Sequence, residues 1–281
     1  MKFADYLKPV PSWSVDEVRA FIRDHEPEAY NLLDVRLSGE YRREHLPGAR
    51  LAPLDRVRDA ADSLDMDKPT LVYCAAGVRS RAAAAVLMRH GFRDVHSMAG
   101  GLRAWDGLTV KPAPGARTVM LSGSEDPLDL VAIAWIMEHG SSRFYHQYGA
   151  QTDNAYAAWA FREIAADEDR HMKTLKELVF ELSGETADDD FAWSRVEGGE
   201  DLMEDGASVA DTLAWAAGQS AAEVARLAMA METNAYDLHL QMERACTNPT
   251  ARKIFRALAK QEHLHLQRME RLLTGELGEN L

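Results

Sequence analysis

Cysteine is scarce in this sequence, which has only Cys74 and Cys246 among its 281 residues. Disulfide frameworks need several cysteines and zinc knuckles need Cys-x-x-Cys pairs, so a disulfide-stabilised fold and a zinc knuckle are both excluded. Long apolar runs are also lacking. No window approaches the ~18 consecutive apolar residues of a membrane-spanning helix, and the first residues do not form the apolar core of a signal peptide. We therefore expect a cytoplasmic protein with no membrane partner.

Basic residues are outnumbered, since 32 Lys and Arg stand against 45 Asp and Glu and give a net charge of −13. The two signs balance up to Val110, so the whole acidic excess lies in residues 111–281. Nucleic acid binding needs clustered Lys and Arg, and we expect no such partner. This change in charge, with a stretch rich in Pro, Gly and Ser, predicts two domains, 1–110 and 126–281, joined by a linker at 111–125.

An internal repeat dominates the second half of the sequence. The stretch REIAADEDRHMKTLKEL, residues 162–178, returns as RALAKQEHLHLQRMERL, residues 256–272, with Glu and His three apart in both copies. The offset between the copies is 94 residues, and the same offset takes Glu138 to Glu232. The two halves of this region are therefore repeats of each other.

The repeated Glu and His residues lie on apolar helix faces. Residues three apart share one face of a helix, and Glu168 lies among Phe161, Ile164 and Leu175 at helical spacing. Unpaired carboxylates in a core are costly and repel one another. Two divalent metal ions would neutralise four of them, with two histidines completing a shell of oxygen and nitrogen. The predicted ligands are Glu138, Glu168, His171, Glu232, Glu262 and His265.

With this pattern, residues 123–275 resemble the ferritin-like di-iron carboxylate proteins, most closely the rubrerythrins. In that family one Glu from each of two helices joins a Glu-x-x-His pair from each of the other two. The resemblance implies an all-α four-helix bundle with two iron ions per chain, or manganese or zinc in their place, and a homodimer. It also implies that Tyr145, which His239 matches in the repeat, orients a ligand carboxylate. A purely structural role for both residues stays open.

Two departures from the rubrerythrin pattern leave the activity open. Rubrerythrins carry a further Glu three residues after the third-helix ligand, where this sequence has Ala235. They commonly carry a four-cysteine module that delivers electrons, which two cysteines cannot supply. Peroxide reduction and oxidation of ferrous iron are therefore both retained as candidate activities, and the electron donor is unknown.

Helical periodicity and capping signals also divide the second half into elements. We predict four helices, at residues 126–150, 153–183, 207–246 and 248–274. Asp153 and Asn248 are the predicted N-caps. The acidic, Gly-containing segment 181–208 is predicted to be a long crossover connection whose charges form a solvated face. A role of these charges in guiding metal stays open as the alternative.

The first half alternates strand and helix patterns, which indicates a parallel α/β sheet. Its strongest signal is TLVYC, a buried strand that ends at Cys74, followed by the loop AAGVRS and a helix that closes at Gly91. The N–H groups of a tight loop, the start of the helix near Ser80 and the charge of Arg79 would each favour a thiolate at Cys74.

Residues 10–110 resemble the rhodanese family. The matching pieces are LLDVR with Asp34 and Arg36, the segment from Glu40 to Ala49, the loop CAAGVRS and the segment GGLRAW. We expect Asp34 and Arg36 to hold the fold together rather than to perform chemistry.

The rhodanese resemblance implies a sulfurtransferase. Cys74 would take a sulfane sulfur from a small donor such as thiosulfate, hold it as a persulfide and pass it to a thiol acceptor. Arg79 is the second predicted catalytic residue, and it would bind the anionic donor beside this nucleophile. The donor would lie in a loop that comprises Ala75, Ala76, Gly77, Val78 and Ser80. The alternative is an iron-binding protein whose rhodanese-like domain only docks partners.

Overall fold

The computed structural model describes residues 10–111, 121, 125–188, 190–197, 199 and 201–274. The chain separates into two compact units, Met1–Thr109 and Val110–Leu281. Of the predicted linker at 111–125, all but residues 111, 121 and 125 lie outside the described residues. Within the part described, no helix is long and apolar enough to cross a membrane.

The first unit is built on a parallel sheet with the strand order β1-β5-β4-β2-β3. Its strands are β1 (Ser12–Trp13), β2 (Asn31–Asp34), β3 (Arg50–Leu51), β4 (Thr70–Tyr73) and β5 (Val95–Met98). β4 lies in the middle of the sheet, and all four of its residues are buried. A strand covered on both faces is expected to be uniformly apolar rather than alternating. The parallel α/β class predicted for this half is confirmed.

Helices follow the strands of the first unit, as the alternating pattern predicts. They are α1 (Val15–Asp24), α2 (Ser38–Arg43), α3 (Val57–Ala61) and α4 (Val78–His90). Ser14 caps α1 through a capping box with Glu17. α4 begins at Val78, two residues before the predicted start, because Gly77 adopts a φ of 86° that ends the loop there. Gly91 ends α4 as predicted.

The second unit is helical. Its helices are α5 (Pro127–Gln151), α6 (Ala155–Ser183), α7 (Val209–Ala216), α8 (Ala221–Ala245) and α9 (Pro249–Thr274). α5 packs against α6, α8 packs against α9, and α6 also contacts α9. The two helix hairpins correspond to the two copies of the sequence repeat. The all-α class predicted for this half is confirmed.

The prediction of one helix over residues 207–246 is wrong, because α7 and α8 are separate helices. Ser220 starts α8 with a capping box, in which its hydroxyl accepts from the backbone N–H of Glu223 and the Glu223 carboxylate accepts from the N–H of Ser220 at 2.9 Å. The apolar periodicity continues through this break and conceals it. The pattern Ser-x-x-Glu after Gly218 is the signal that predicts the new start.

The two other predicted caps have different outcomes. The prediction that Asn248 caps α9 is confirmed, since its side-chain oxygen accepts from the N–H groups of Thr250 at 2.9 Å and Ala251 at 3.1 Å. The prediction that Asp153 caps α6 is wrong, because the adjacent Asn154 is the N-cap and its side chain accepts from the N–H of Ala157 at 2.8 Å. Asn and Asp cap helices equally well, so residue type alone does not distinguish the two positions.

Apolar side chains form two clusters along the bundle. One includes Trp135 of α5 and Leu178 of α6, and the other includes Phe144 of α5 and Phe161 of α6. In every long helix the residues of one cluster precede those of the other, with the predicted metal ligands between them. The polar centre is therefore flanked by apolar packing at both ends.

Candidate functional site

The six predicted metal ligands lie together in the middle of the helical unit. α5 supplies Glu138, α6 supplies Glu168 and His171, α8 supplies Glu232, and α9 supplies Glu262 and His265. The four glutamates are 0% exposed, His171 is 5% exposed and His265 is 1% exposed. Such complete burial of four carboxylates fits a cation-binding site, because burying unpaired charges costs several kcal/mol each.

The side chains form two overlapping sets around the two histidines. His171 Nδ1 lies 3.1 Å from Glu138 Oε2, 3.1 Å from Glu168 Oε2 and 3.2 Å from Glu262 Oε1. His265 Nδ1 lies 2.9 Å from Glu232 Oε2, 3.1 Å from Glu262 Oε2 and 3.5 Å from Glu168 Oε1. Glu168 and Glu262 belong to both sets. This is the arrangement expected of two metal positions joined by two shared carboxylates.

The charges of this cluster also fit a pair of metal ions. Oε1 of Glu168 and Oε1 of Glu262 are buried and accept no hydrogen bond of good geometry, although each lies within 3.5 Å of a histidine Nδ1. Burial raises the pKa of Glu168 well above its ordinary value, and the charges of Glu262 and Glu138 raise it further. Burial lowers the pKa of His171, but Glu138 and Glu262 outweigh that effect and raise it well above normal. The cluster thus retains protons that two divalent cations would replace.

Tyr145 and His239 each contact a ligand carboxylate of the opposite hairpin. The Tyr145 hydroxyl donates a hydrogen bond to Glu232 Oε1. His239 Nε2 lies 2.9 Å from Glu138 Oε1. Both are buried and both occupy the position seven residues after a ligand Glu in their helix. The repeat therefore places two partners that orient Glu138 and Glu232 from outside the predicted ligand set.

Asp167 is a functional candidate that the sequence reasoning missed. Its Oδ2 lies 3.3 Å from His265 Nε2, the ring nitrogen that faces away from the cluster, and it pairs with Arg268. This is an ion-pair distance without hydrogen-bond geometry, since His265 Nε2 has no hydrogen-bond partner. A carboxylate near this nitrogen is the kind of group that orients a metal-binding imidazole. The only sequence signal was an acidic residue directly beside Glu168, and the other repeat has Gln261 at the matching position.

Glu204 is the second residue that was missed. It lies in the crossover between α6 and α7 and is 5% exposed. One ligand atom of Glu204 lies within 4.8 Å of ligand atoms of Glu138, His239 and Glu262. The prediction that the crossover charges form a solvated face is therefore wrong at this residue, although Asp188 and Asp190 are exposed as predicted.

In the first unit, Cys74 follows β4 directly and is 1% exposed. The backbone N–H of Gly77 donates to its Sγ at 3.1 Å. Burial alone would raise the pKa of the Cys74 thiol, but the backbone N–H groups of Ser80, Ala76 and Gly77, with the Ser80 hydroxyl, lower it below its ordinary value. The loop is thus built to hold a negative sulfur.

The segment after β5 supports the cysteine loop. The N–H of Leu102 donates to the carbonyl of Cys74 at 2.7 Å, and the N–H of Arg103 donates to the carbonyl of Ala75 at 3.1 Å. Gly101 has a φ of 60°, and a Cβ built there would meet the Cys74 carbonyl oxygen at 2.2 Å. Only glycine permits this close approach. The Gly-Gly turn in the sequence therefore positions the loop.

The other loop residues differ in exposure. Gly77 and Ser80 are buried, Ala75 and Arg79 are half-buried, and Ala76 and Val78 are exposed. Exposed residues beside a buried sulfur leave one side of the loop facing solvent.

Arg79 forms a two-pronged ion pair with Glu40, with Nη1 to Oε2 at 2.7 Å and Nη2 to Oε1 at 2.8 Å. This hydrogen bonding lowers the pKa of Glu40 to about 2. The pKa of Arg79 is raised by Glu40 and, less strongly, by Cys74. Asp34 and Arg36 form a separate buried ion pair at 2.7 Å, which agrees with the structural role expected of them.

Comparison with known proteins assigns both units. A rubrerythrin family model matches residues 129–273, and a rhodanese-like domain model matches residues 14–108. The chain belongs to the rubrerythrin family, whose ferritin-like domain is a di-iron domain, and it carries a rhodanese-like domain before it. Both family resemblances seen in the sequence are confirmed.

The individual relatives cover a part of the chain. YqhL of Bacillus subtilis, an uncharacterized protein, is 36% identical over 27% of this chain and 60% of its own length. The thiosulfate sulfurtransferase GlpE of Pseudomonas putida is 39% identical over 26% of this chain and 67% of its own length. A crystal structure of a rhodanese-like domain protein from Staphylococcus aureus is 29% identical and covers 34% of this chain and 91% of that one, with a TM-score of 0.32. The chain thus spans less than two thirds of YqhL.

Proposed function

We propose that this chain is an enzyme that transfers sulfane sulfur through a Cys74 persulfide and carries out redox chemistry at a centre of two iron ions. The observation that carries the metal part is the convergence of six buried ligands in two sets that share Glu168 and Glu262. Membership of the rubrerythrin family supports iron as the metal. The lowered pKa of Cys74 supports its role as a nucleophile.

The proposed sulfur transfer has two steps. The Cys74 thiolate attacks the outer sulfur of thiosulfate, the sulfur–sulfur bond of thiosulfate breaks, and sulfite leaves with the bonding electron pair. An acceptor thiolate or cyanide then attacks the terminal sulfur of the persulfide and releases Cys74 as a thiolate. The similarity to GlpE supports thiosulfate as the donor. The N–H groups that face Cys74 stabilise the negative sulfur before and after transfer.

In the second unit the protein residues hold and orient the centre. Four glutamates and two histidines would hold the ions, Tyr145 donates to Glu232, and His239 contacts Glu138. Bound iron would supply the electron exchange with peroxide or dioxygen. We propose peroxide reduction or oxidation of ferrous iron as the activity, with electrons for the former from an external donor. The homodimer stays a prediction.

Two assays on the purified full-length chain test the proposal. Metal analysis should find two iron ions per chain after anaerobic loading with ferrous iron. Thiosulfate should add one sulfur atom to Cys74, detected by intact mass, and cyanide should remove it as thiocyanate. A chain that binds iron but forms no persulfide would favour the alternative, a docking module without sulfur transfer. A chain that binds no metal would reject the metal centre.

A further inference from the structure

Glu204 is a buried acidic residue that lies on no helix of the bundle. It belongs to the crossover between α6 and α7 and is 5% exposed, although the acidic residues Asp188, Asp190 and Glu197 of the same segment are exposed. A carboxylate that is drawn out of water in this way requires a partner, because its desolvation costs several kcal/mol. Its surroundings therefore indicate what it binds.

A tight turn fixes the position of Glu204. Leu202 pairs with Ser208 in an antiparallel bridge, the N–H of Met203 donates to the carbonyl of Ala207 at 3.0 Å, and Gly206 reverses the chain with a φ of 77°. Met203 is fully buried among the apolar side chains of the bundle. Glu204 is thus presented by an anchored turn and not by a solvated loop.

The helix next to this turn is shaped to receive it. At Gly140 of α5, two residues after Glu138, an added Cβ would meet the carbonyl oxygen of Leu202 at 1.9 Å. The turn can lie this close to α5 only because position 140 has no side chain. Ser141 of the same helix donates its hydroxyl hydrogen to Glu204 Oε2 at 2.8 Å. These contacts aim the carboxylate at the centre of the bundle.

The remaining oxygen of Glu204 is unsatisfied. Oε1 is buried and has no hydrogen-bond partner. One ligand atom of Glu204 lies within 4.8 Å of ligand atoms of Glu138, His239 and Glu262, two of which belong to the proposed metal centre. A charged Glu204 carboxylate this close to two ligand carboxylates is repelled by them unless a cation lies between.

We propose that Glu204 is a fifth carboxylate ligand of the metal centre, supplied by the crossover and bound to the ion on the Glu138 side. This inference rests on the proposed metal centre. It also explains why α8 can have the fully buried Ala235 at a position where the rubrerythrin resemblance leads one to expect a glutamate. The turn then delivers a carboxylate that the helix does not.

The two ions should differ in their dependence on Glu204. Glu204 forms a ligand group with Glu138, His239 and Glu262, and the group around His171 contains the same Glu138 and Glu262. The group around His265 comprises Glu168, Glu232 and Glu262 and contains neither Glu138 nor Glu204. Loss of Glu204 should therefore weaken the binding of one ion and leave the binding of the other unchanged. The loss should be at least about tenfold, since even removal of a residue that only orients a ligand weakens metal binding roughly 10- to 100-fold.

The test is a titration of the metal-free full-length protein with Co(II) under anaerobic conditions, in competition with a chelator and followed by visible absorption. Wild type is compared with Glu204→Gln and with Asp205→Asn. Asp205 is buried in the same turn, its Oδ1 accepts from the N–H of Ala207 at 2.9 Å, and it belongs to no ligand group in the part of the chain described. The control makes the same change of charge one residue away.

We expect wild type and Asp205→Asn to bind two Co(II) ions with the same affinities. Glu204→Gln should bind one ion with unchanged affinity and the other at least about tenfold more weakly. Glu204→Asp, which keeps the charge but shortens the reach, should behave like Glu204→Gln and covers the case that the latter does not fold. If Glu204→Gln binds both Co(II) ions as tightly as wild type, the role of Glu204 is overturned and the metal centre stands. The same conclusion follows from Glu204→Asp if only that variant folds. A wild type that binds no Co(II), Fe(II), Mn(II) or Zn(II) would reject both.

Discussion

At the scale of single residues, Cys74 shows how a backbone loop sets the chemistry of a side chain. The sulfur is buried, which disfavours a charge, yet N–H groups of the loop lower the pKa of the thiol. The charge of the nearby Arg79 is paired with Glu40. Stabilisation of the thiolate thus comes mainly from oriented N–H groups of the loop, and the sequence shows these only as a glycine-containing loop at the start of a helix.

The pH dependence of alkylation tests this view of Cys74. Because the pKa is lowered, the reactive thiolate persists as the pH falls, and the rate of modification by iodoacetamide should reach half its maximum at a lower pH than that of free cysteine measured under the same conditions. Peptide mass analysis assigns the modification to Cys74. Cys74→Ser controls for Cys246, which is buried in the helical unit. A midpoint at or above that of free cysteine contradicts the prediction.

The cluster of six proposed metal ligands could be predicted from the sequence, whereas the burial of Glu204 beside it could not. A repeat at one fixed offset places the candidate ligands on apolar faces of long helices, and this pattern makes them recognisable in the sequence. They are Glu138, Glu232 and the two Glu-x-x-His pairs. Glu204 stands in an irregular, acidic segment with no period. Its burial depends on the turn around it and on Gly140, which lies more than sixty residues earlier in the chain.

At the scale of elements, the sequence predicts the long helices well and their connections poorly. α5, α6 and α9 begin and end within two residues of their predicted bounds. The break between α7 and α8 was missed because apolar periodicity runs through it, and only the capping box at Ser220 marks it. Local hydrogen bonds decide such boundaries, whereas periodicity reports mainly on which face is buried.

Gly140→Ala tests the packing of the crossover on α5. The added methyl would collide with the Leu202 carbonyl, so the substitution should lower the free energy of unfolding of the metal-free protein by about 1 to 3 kcal/mol, the usual cost of overpacking. Alanine would otherwise favour a helix relative to glycine. Urea unfolding followed by the helical circular dichroism signal measures the change.

Gly218→Ala is the matched control for Gly140→Ala. A Cβ at Gly218 meets only the Trp215 carbonyl oxygen, at 3.8 Å, which is ordinary contact. This variant should unfold within about 0.5 kcal/mol of wild type, as substitutions without steric conflict usually do. A stabilised Gly140→Ala protein would show that the crossover does not pack against the helix as described.

At the scale of the whole molecule, each proposed site is assembled from one unit. The Cys74 loop and its supports lie within Met1–Thr109, and every proposed metal ligand lies within Val110–Leu281. Charge follows the same division, since the acidic excess of the chain belongs to the part that would bind cations. Composition, repeat and motif could therefore be interpreted separately for each half, which is why the class of both was predictable.

Crossed variants test whether the two sites are independent. Cys74→Ser should abolish the persulfide and leave iron stoichiometry unchanged, whereas Glu262→Ala should lower iron content and leave persulfide formation with thiosulfate unchanged. Intact mass and metal analysis of the same preparations give both readouts. A change in metal content in Cys74→Ser would show that the sites depend on each other.

The centre of two ions is tested most directly by iron stoichiometry in variants of shared and unshared glutamates. Glu168 and Glu262 lie within ligand distance of both histidines, whereas Glu232 belongs to the His265 set alone. After anaerobic loading and removal of free metal, wild type should hold two iron ions per chain, Glu232→Ala should retain one, and Glu168→Ala should retain fewer than Glu232→Ala. Equal iron content in all three proteins, or none in wild type, would contradict a metal centre at these residues.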